Sequence, residues 1–179
     1  MRLLRKLCLM LVVFSLSSSL LAASAQEINA KVNQALKEFY QHSPAGKELT
    51  RKAAGVLVFP EVIKAGIGIG GEYGEGALRL NGKTVSYYNV ASASIGFQLG
   101  AQLKSEIILF MSADALRKFR NSDGWEAGVD GSVALATLGA GGEIDSNTIQ
   151  QPIIGFIFSN KGLMYNLSIE GSKISRIQR

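Results

Sequence analysis

One histidine, His42, and one cysteine, Cys8, set narrow limits on the chemistry open to this chain. A Ser/His hydrolase would have to work through His42, which stands beside Ser43-Pro44 at what reads as a helix junction. No serine lies in G-x-S-x-G; Ser132 follows Gly131 but lacks the closing glycine. Soft-metal sites need clusters of His and Cys that these residues do not supply. Gly66, Gly68 and Gly71 match G-x-G-x-x-G, yet Glu72-Tyr73-Gly74-Glu75-Gly76 is a poor helix start, so no dinucleotide turn is expected. Carboxylates gather at Glu72 with Glu75 and at Asp123, Glu126 and Asp130. Together with Asp145 and Asn147 they read as solvated turn and strand-edge residues, not as a paired-carboxylate hydrolase or a calcium loop. No catalytic residue, metal or cofactor is expected, and no small-molecule substrate.

The basic residues offer a different chemistry. Lys47, Arg51, Lys52 and, past the first strand, Lys64 could gather near one end of a domain. Lys47 and Arg51 are i, i+4 neighbours on one helix face, a like-charge pair that slightly weakens an isolated helix. Such a patch could meet anionic lipid headgroups, each cation contributing on the order of 1 kcal/mol. The competing reading is an ordinary solvated face partly neutralised by Glu48 and Glu61.

Two helices must hold these cations. Ile28, Val32, Ala35, Leu36 and Phe39 fall within about 100° of arc at helical spacing, opposite Lys31, Gln34, Glu38 and Gln41. Ser43-Pro44 reads as the N-cap and first position of a second, shorter helix, with Gly55 as its stop. The apolar stripe Ile28, Val32, Leu36 and Phe39 either packs into the core or faces a membrane, and both arrangements stay open at this point.

Beyond Gly55 the period changes from helix to strand. Val56–Phe59 reads as a strand ended by Pro60, and Asn81-Gly82 as a two-residue hairpin turn between Ala77–Leu80 and Thr84–Val90. Gly66, Gly68 and Gly70 would leave one strand face bare, which permits a close approach or a sharp bend. Ile107–Met111 is expected to be a buried strand. Ser112 should cap a short helix that turns Ala115, Leu116 and Phe119 inward. Gly124–Leu138, Ile153–Phe158 and Met164–Ile169 supply further strands, with a turn at Ser159–Gly162. The expected fold is α+β: a curved, mainly antiparallel, glycine-rich sheet or partial barrel with about three helices packed on it. An integral outer-membrane barrel fits less well, because helices are expected at both Ile28–Ala53 and Ser112–Phe119.

Residues 1–25 read as a secretory signal peptide: Arg2, Arg5 and Lys6, the apolar run Leu7–Phe14, and Ala23-Ser24-Ala25 before a cut after Ala25. The formal charge of +5 shrinks accordingly, because losing three basic residues leaves 16 against 14 acidic ones. A net of +2 in an exported protein does not suggest a nucleic-acid partner. Residues 26–179 carry no cysteine, so their stability must come from a core and not from disulfides. They read as a single domain, exported and either periplasmic or peripheral to the envelope.

Several blocks are familiar as an ordered set. Ala54-Gly-Val-Leu-Val-Phe-Pro60 is followed by Lys64-Ala-Gly-Ile-Gly-Ile-Gly-Gly-Glu-Tyr-Gly-Glu-Gly76, then Ser94-Ile-Gly-Phe-Gln-Leu-Gly-Ala-Gln102 and Ile108-Leu-Phe-Met111. Phe119 to Gly131, Gly162-Leu-Met164 and Leu167-Ser-Ile-Glu-Gly-Ser172 complete it. From about Gln26 to Arg179 the chain resembles the SYLF domain, a lipid-binding family whose eukaryotic members are also catalogued as actin-binding. The resemblance implies binding to anionic phospholipids, no enzymatic activity, and export of bacterial members. A structural or protein-interaction module of the envelope is the alternative.

Overall fold

The computed structural model describes residues 23–136, 144–159, 162–163 and 168–179, with backbone alone at 66–68, 94–101, 159 and 162–163. Its first helix, α1, runs Ala25–His42, and α2 runs Pro44–Lys52. Ser24 Oγ accepts from the Glu27 N–H at 3.1 Å, and Ser43 Oγ accepts from the Gly46 N–H at 2.9 Å, so each helix starts on a serine cap. Pro44 stands at the start of α2, where its missing N–H costs nothing. Gly55 is not the helix stop. The chain turns extended at Ala53 (φ −68°, ψ 138°), and Gly55 already belongs to the next strand, where a Cβ would lie 2.7 Å from the Leu116 side chain.

Two very long strands follow, β1 at Gly55–Leu80 and β2 at Lys83–Phe110. They pair antiparallel around Asn81-Gly82, whose φ values of 50° and 78° are those the two-residue hairpin turn requires. Pro60 does not end the strand. It falls in the register shift between Phe59 and Val62, and a proline is tolerated at such a bulge because no ladder donor is needed there. A ribbon this long cannot stay straight in a small domain, and it folds back on itself. Gly74 and Gly76 make that possible: a Cβ on Gly74 would lie 2.7 Å from the Glu61 carbonyl oxygen, and one on Gly76 would overlap the Val58 carbonyl oxygen. The return arm of β1 therefore crosses directly against its own first arm.

The outer edge of β2 is shared. Its first arm pairs with β7 (Lys173–Ile177) and its last residues pair with β5 (Ile153–Ser159), both antiparallel. Short strands complete a seven-stranded, half-barrel sheet among the described residues: β3 (Trp125–Glu126) on β7, β4 (Ala134–Leu135) parallel to β5, and β6 (Gly162–Leu163) on β5. Helix α3 (Ala113–Asn121) starts on Ser112 and buries Leu116 and Phe119 as expected, and the single-turn α4 spans Ser146–Ile149. The fold is thus the expected α+β, mostly sheet and mostly antiparallel.

Other strand expectations need correction. Gly124–Leu138 is not one strand: Gly124 has a positive φ before β3, a turn with positive φ at Gly128 follows β3, and β4 comes after it, with 137–138 outside the described residues. Of Met164–Ile169 only Ser168 and Ile169 are described, and they are not strand; residues 160–161 of the Ser159–Gly162 turn also lie outside. Strand β7 was not expected, although its alternation buries Ile174 between exposed Lys173 and half-buried Ser175.

The sheet is buried on both faces, which is why Val56–Phe59 and Ile107–Phe110 are continuous apolar runs. One face carries Leu57, Phe59, Leu78, Ile108 and Phe110 against Phe119 and Trp125. The opposite face carries Val56, Val58, Ala77, Ile107 and Leu109, and α1 covers it with Ile28, Val32, Leu36 and Phe39. Phe39 packs edge-on against Phe156, with ring centroids 4.7 Å apart. These four α1 residues are buried, so the stripe belongs to the core and the membrane-facing alternative is corrected. Among the described residues no helix is long and apolar enough to cross a membrane.

Candidate functional site

The flank of α1 beside its buried stripe, the facing side of α2 and the hairpin turn enclose a cleft of about 710 Å³. Lys37 comes from α1, Lys47 and Arg51 from α2, and Arg79 from the last turn-side residues of β1. No carboxylate lines it among the described residues; Tyr40, Thr50 and Asn81 supply neutral polar groups, and Leu36 and Val56 an apolar floor. The Lys47 ammonium lies 5.9 Å from the centre of the Tyr40 ring, at the outer range of a cation–π contact. Burial pushes the Tyr40 hydroxyl pKa up, so that group stays protonated and able to donate.

Arg79 is the inner wall of this cleft. Its Nε is buried and has no hydrogen-bond partner, and burial pulls the guanidinium below its ordinary pKa, with Tyr40 and Tyr87 acting against that. A buried donor without an acceptor is costly, and the rest of this half-buried guanidinium faces the cleft, where an anion could meet it. Arg51 is partly engaged, with its Nη1 2.7 Å from Glu48 Oε1, but both side chains are well exposed and such a pair is weak.

Of the four basic residues picked out in the sequence, the fold brings Lys47 and Arg51 into the cleft. Lys52 is exposed at the end of α2 without lining it, and Lys64 stands further along β1, paired in register with Gln102. Glu61 answers Lys31 at 2.7 Å, and the expected screening by acids reduces to Glu48 on Arg51. Lys37 and Arg79 were not picked out. Lys37 directly follows Leu36 of the buried stripe, and Arg79 two residues before Asn81-Gly82 reaches the helices only because the ribbon folds over.

A second group of charges is wholly interior. Lys104 Nζ lies 2.8 Å from both Glu72 Oε2 and Glu106 Oε1, and all three side chains are at most 3% exposed. The Ser172 hydroxyl stands 3.5 Å from Glu72. Burial pushes the Glu106 carboxyl up against the pull of Lys104. Burial likewise pulls Lys104 down, but Glu106 and Glu72 outweigh it and hold the ammonium above its ordinary value. Glu72 belongs to the return arm of the ribbon, while Lys104 and Glu106 belong to the first arm, so the cluster staples one arm to the other. Glu72 is therefore not the solvated residue expected. Glu75 is also tied down, by Arg179 and by the Tyr73 hydroxyl at 2.8 Å. His42 is exposed at the end of α1, and Asp145 caps α4 through the Asn147 and Thr148 N–H groups.

A folded glycine-rich ribbon with helices packed on both faces and a buried ionic staple defines an α+β half-barrel domain, and its open cleft is cationic. Residues 91–179 match the family model described as Ysc84, Las17-binding protein actin regulator. The chain belongs to this family, the SYLF-domain family. The matched half holds Lys104 and Glu106, whereas all four cleft cations lie in the half before it. A search of curated proteins returns no match.

Proposed function

We propose that the protein is a non-enzymatic, anionic-phospholipid-binding module of the cell envelope, which holds lipid phosphates in the Lys37–Lys47–Arg51–Arg79 cleft. The observation that carries this reading is Arg79, a half-buried guanidinium that lines the cleft with three more cations and, among the described residues, no carboxylate. A phosphodiester offers the acceptor oxygens this wall lacks, and the Arg guanidinium matches their geometry. The Tyr40 hydroxyl can donate beside it, while Thr50 already donates to the Gly46 carbonyl at 2.8 Å. Export by the Arg2–Ala25 leader would deliver the domain to a compartment where phosphatidylglycerol and cardiolipin are the anionic surfaces.

Flotation with vesicles of increasing phosphatidylglycerol content tests the proposal. Binding should rise with anionic content and fall with salt. In Lys47→Gln/Arg51→Gln it should weaken roughly thirtyfold, from about 1 kcal/mol per cation. No binding at any composition would defeat it. A protein-interaction role is the second reading, favoured by the family's description as Las17-binding. It gains if the cleft variant floats like the parent while a protein partner is lost.

A further inference from the structure

The sheet face that α1 covers does not end where the helix ends. Past Ile28, at the bend of the folded ribbon, the same face continues with Ile63, Ile69 and Tyr73 on β1 and Leu103 on β2, the last paired in register with Ile63. These side chains are 56%, 75%, 48% and 57% exposed. Ala65 and Gly71, between them on the same face, are exposed as well. The alternation along β1 is unbroken in sense: 63, 65, 69, 71 and 73 face outward, whereas Val62, Glu72 and Gly74 face inward. The inward side of this stretch holds the Glu72–Lys104–Glu106 cluster.

The bend is thus inside-out, with charge within and hydrocarbon without. A water-facing strand turns its polar positions outward. The opposite pattern is the one selected where strands face lipid chains. The described outward positions from Ile63 to Tyr73 carry no charge, which matches a hydrocarbon phase, and the charges beside them, Lys31, Glu61 and Glu75, stand at the border of the stretch toward α1, at headgroup level when the bend is inserted. Tyr73 closes the stretch with its hydroxyl on Glu75, an aromatic with one apolar side and one anchored polar end, the type that collects at membrane interfaces.

We infer that the bend of the β1–β2 ribbon inserts into the acyl region of a bilayer, with Ile63, Ile69 and Leu103 as the inserted side chains. This contact rests on the lipid-binding reading but uses a different surface. The cleft lies beside Tyr40 and the hairpin turn, toward the far end of α1 from Ile28, and the bend needs no anionic headgroup.

The test places a polarity-sensitive fluorophore on Ile69→Cys in a Cys8→Ser background and adds vesicles bearing spin-labelled acyl chains. Insertion predicts a blue-shifted emission, quenched by the acyl-chain label, and at least a tenfold weaker partition for Ile69→Asp with unchanged thermal unfolding. A fluorophore that stays in water while the protein floats would overturn the inference and leave the cleft reading intact. Full insertion in Lys47→Gln/Arg51→Gln, with its anionic selectivity unchanged, would instead sink the cleft and keep the bend. A fluorophore already shielded without vesicles would mean that a second copy or another segment of the chain covers the face, and would also overturn it.

Discussion

Lys104 is a fully buried cation and Arg79 a half-buried one, and their surroundings divide them. Lys104 has two carboxylates at 2.8 Å and is fully buried, although Glu106 Oε2 is left there without a hydrogen-bond partner, whereas Arg79 lines a cleft with no carboxylate among the described residues. The first arrangement is closed: its two carboxylates and one ammonium face one another inside the sheet and can serve only the fold. The second is open, and its charge can be answered only from outside. Counting charges in the sequence cannot separate the two, because the difference lies in which residues the folded ribbon places opposite one another.

Breaking the closed cluster should have the largest effect. Lys104→Met leaves Glu72 and Glu106 buried without a counter-charge and should cost about 3–5 kcal/mol in denaturant unfolding. The triple variant that also makes both glutamates apolar should recover most of that loss. Next comes Gly76→Ala, whose Cβ meets the Val58 carbonyl, a backbone atom that cannot step aside; a loss of about 1–3 kcal/mol is expected by the same measurement. Ser43→Ala removes the cap of α2 and should cost about 1 kcal/mol. Smallest is Lys47→Gln/Arg51→Gln, which should stay within about 0.5 kcal/mol of the parent because nothing in the core depends on it. If the cleft variant unfolds as readily as Lys104→Met, the division between the two regions is wrong.

The buried cluster and the Glu75–Arg179 pair also make stability depend on pH. Glu106 is held above its ordinary 4.5, so its contribution to stability is present below that value and is lost as pH rises through the raised one. Lys104 is held above 10.5, so its contribution is present below 10.5 and lost only as pH climbs past the raised value. At Glu75, burial raises the carboxyl but Arg179 and Tyr73 more than offset it, giving a lowered value. That contribution is present above 4.5 and lost as pH falls through the lowered value. Unfolding measured across pH should therefore lose the acid-side decline with rising pH in Glu106→Gln, and the alkaline loss should shrink with it, because Glu106 does more than Glu72 to hold the Lys104 ammonium up.

Much of this fold was legible in local chemistry. Ser43-Pro44, Ser112 and Asn81-Gly82 act through their own backbone and need no distant partner, and each stands where its residue type predicts. The α1 stripe was legible as a stripe; its burial against Phe156 and Phe158 was not, since those residues lie over a hundred positions away. The ionic staple escaped because Glu72 stands among glycines and reads as a turn residue. Its signal was the spacing of Lys104 and Glu106, which share a strand face with Ile108 and Phe110 and so had to point into the core. Lys64 was grouped with Lys47 by closeness in sequence, but a continuous strand carries it away from the helices.

The central claim is that the open cations bind anionic lipid. Flotation of the parent and of Lys47→Gln/Arg51→Gln on phosphatidylglycerol vesicles, in one salt series, tests it most directly. The account predicts salt-sensitive binding by the parent and roughly thirtyfold weaker binding by the variant at low salt. Equal binding by the two, or none by either, would contradict it.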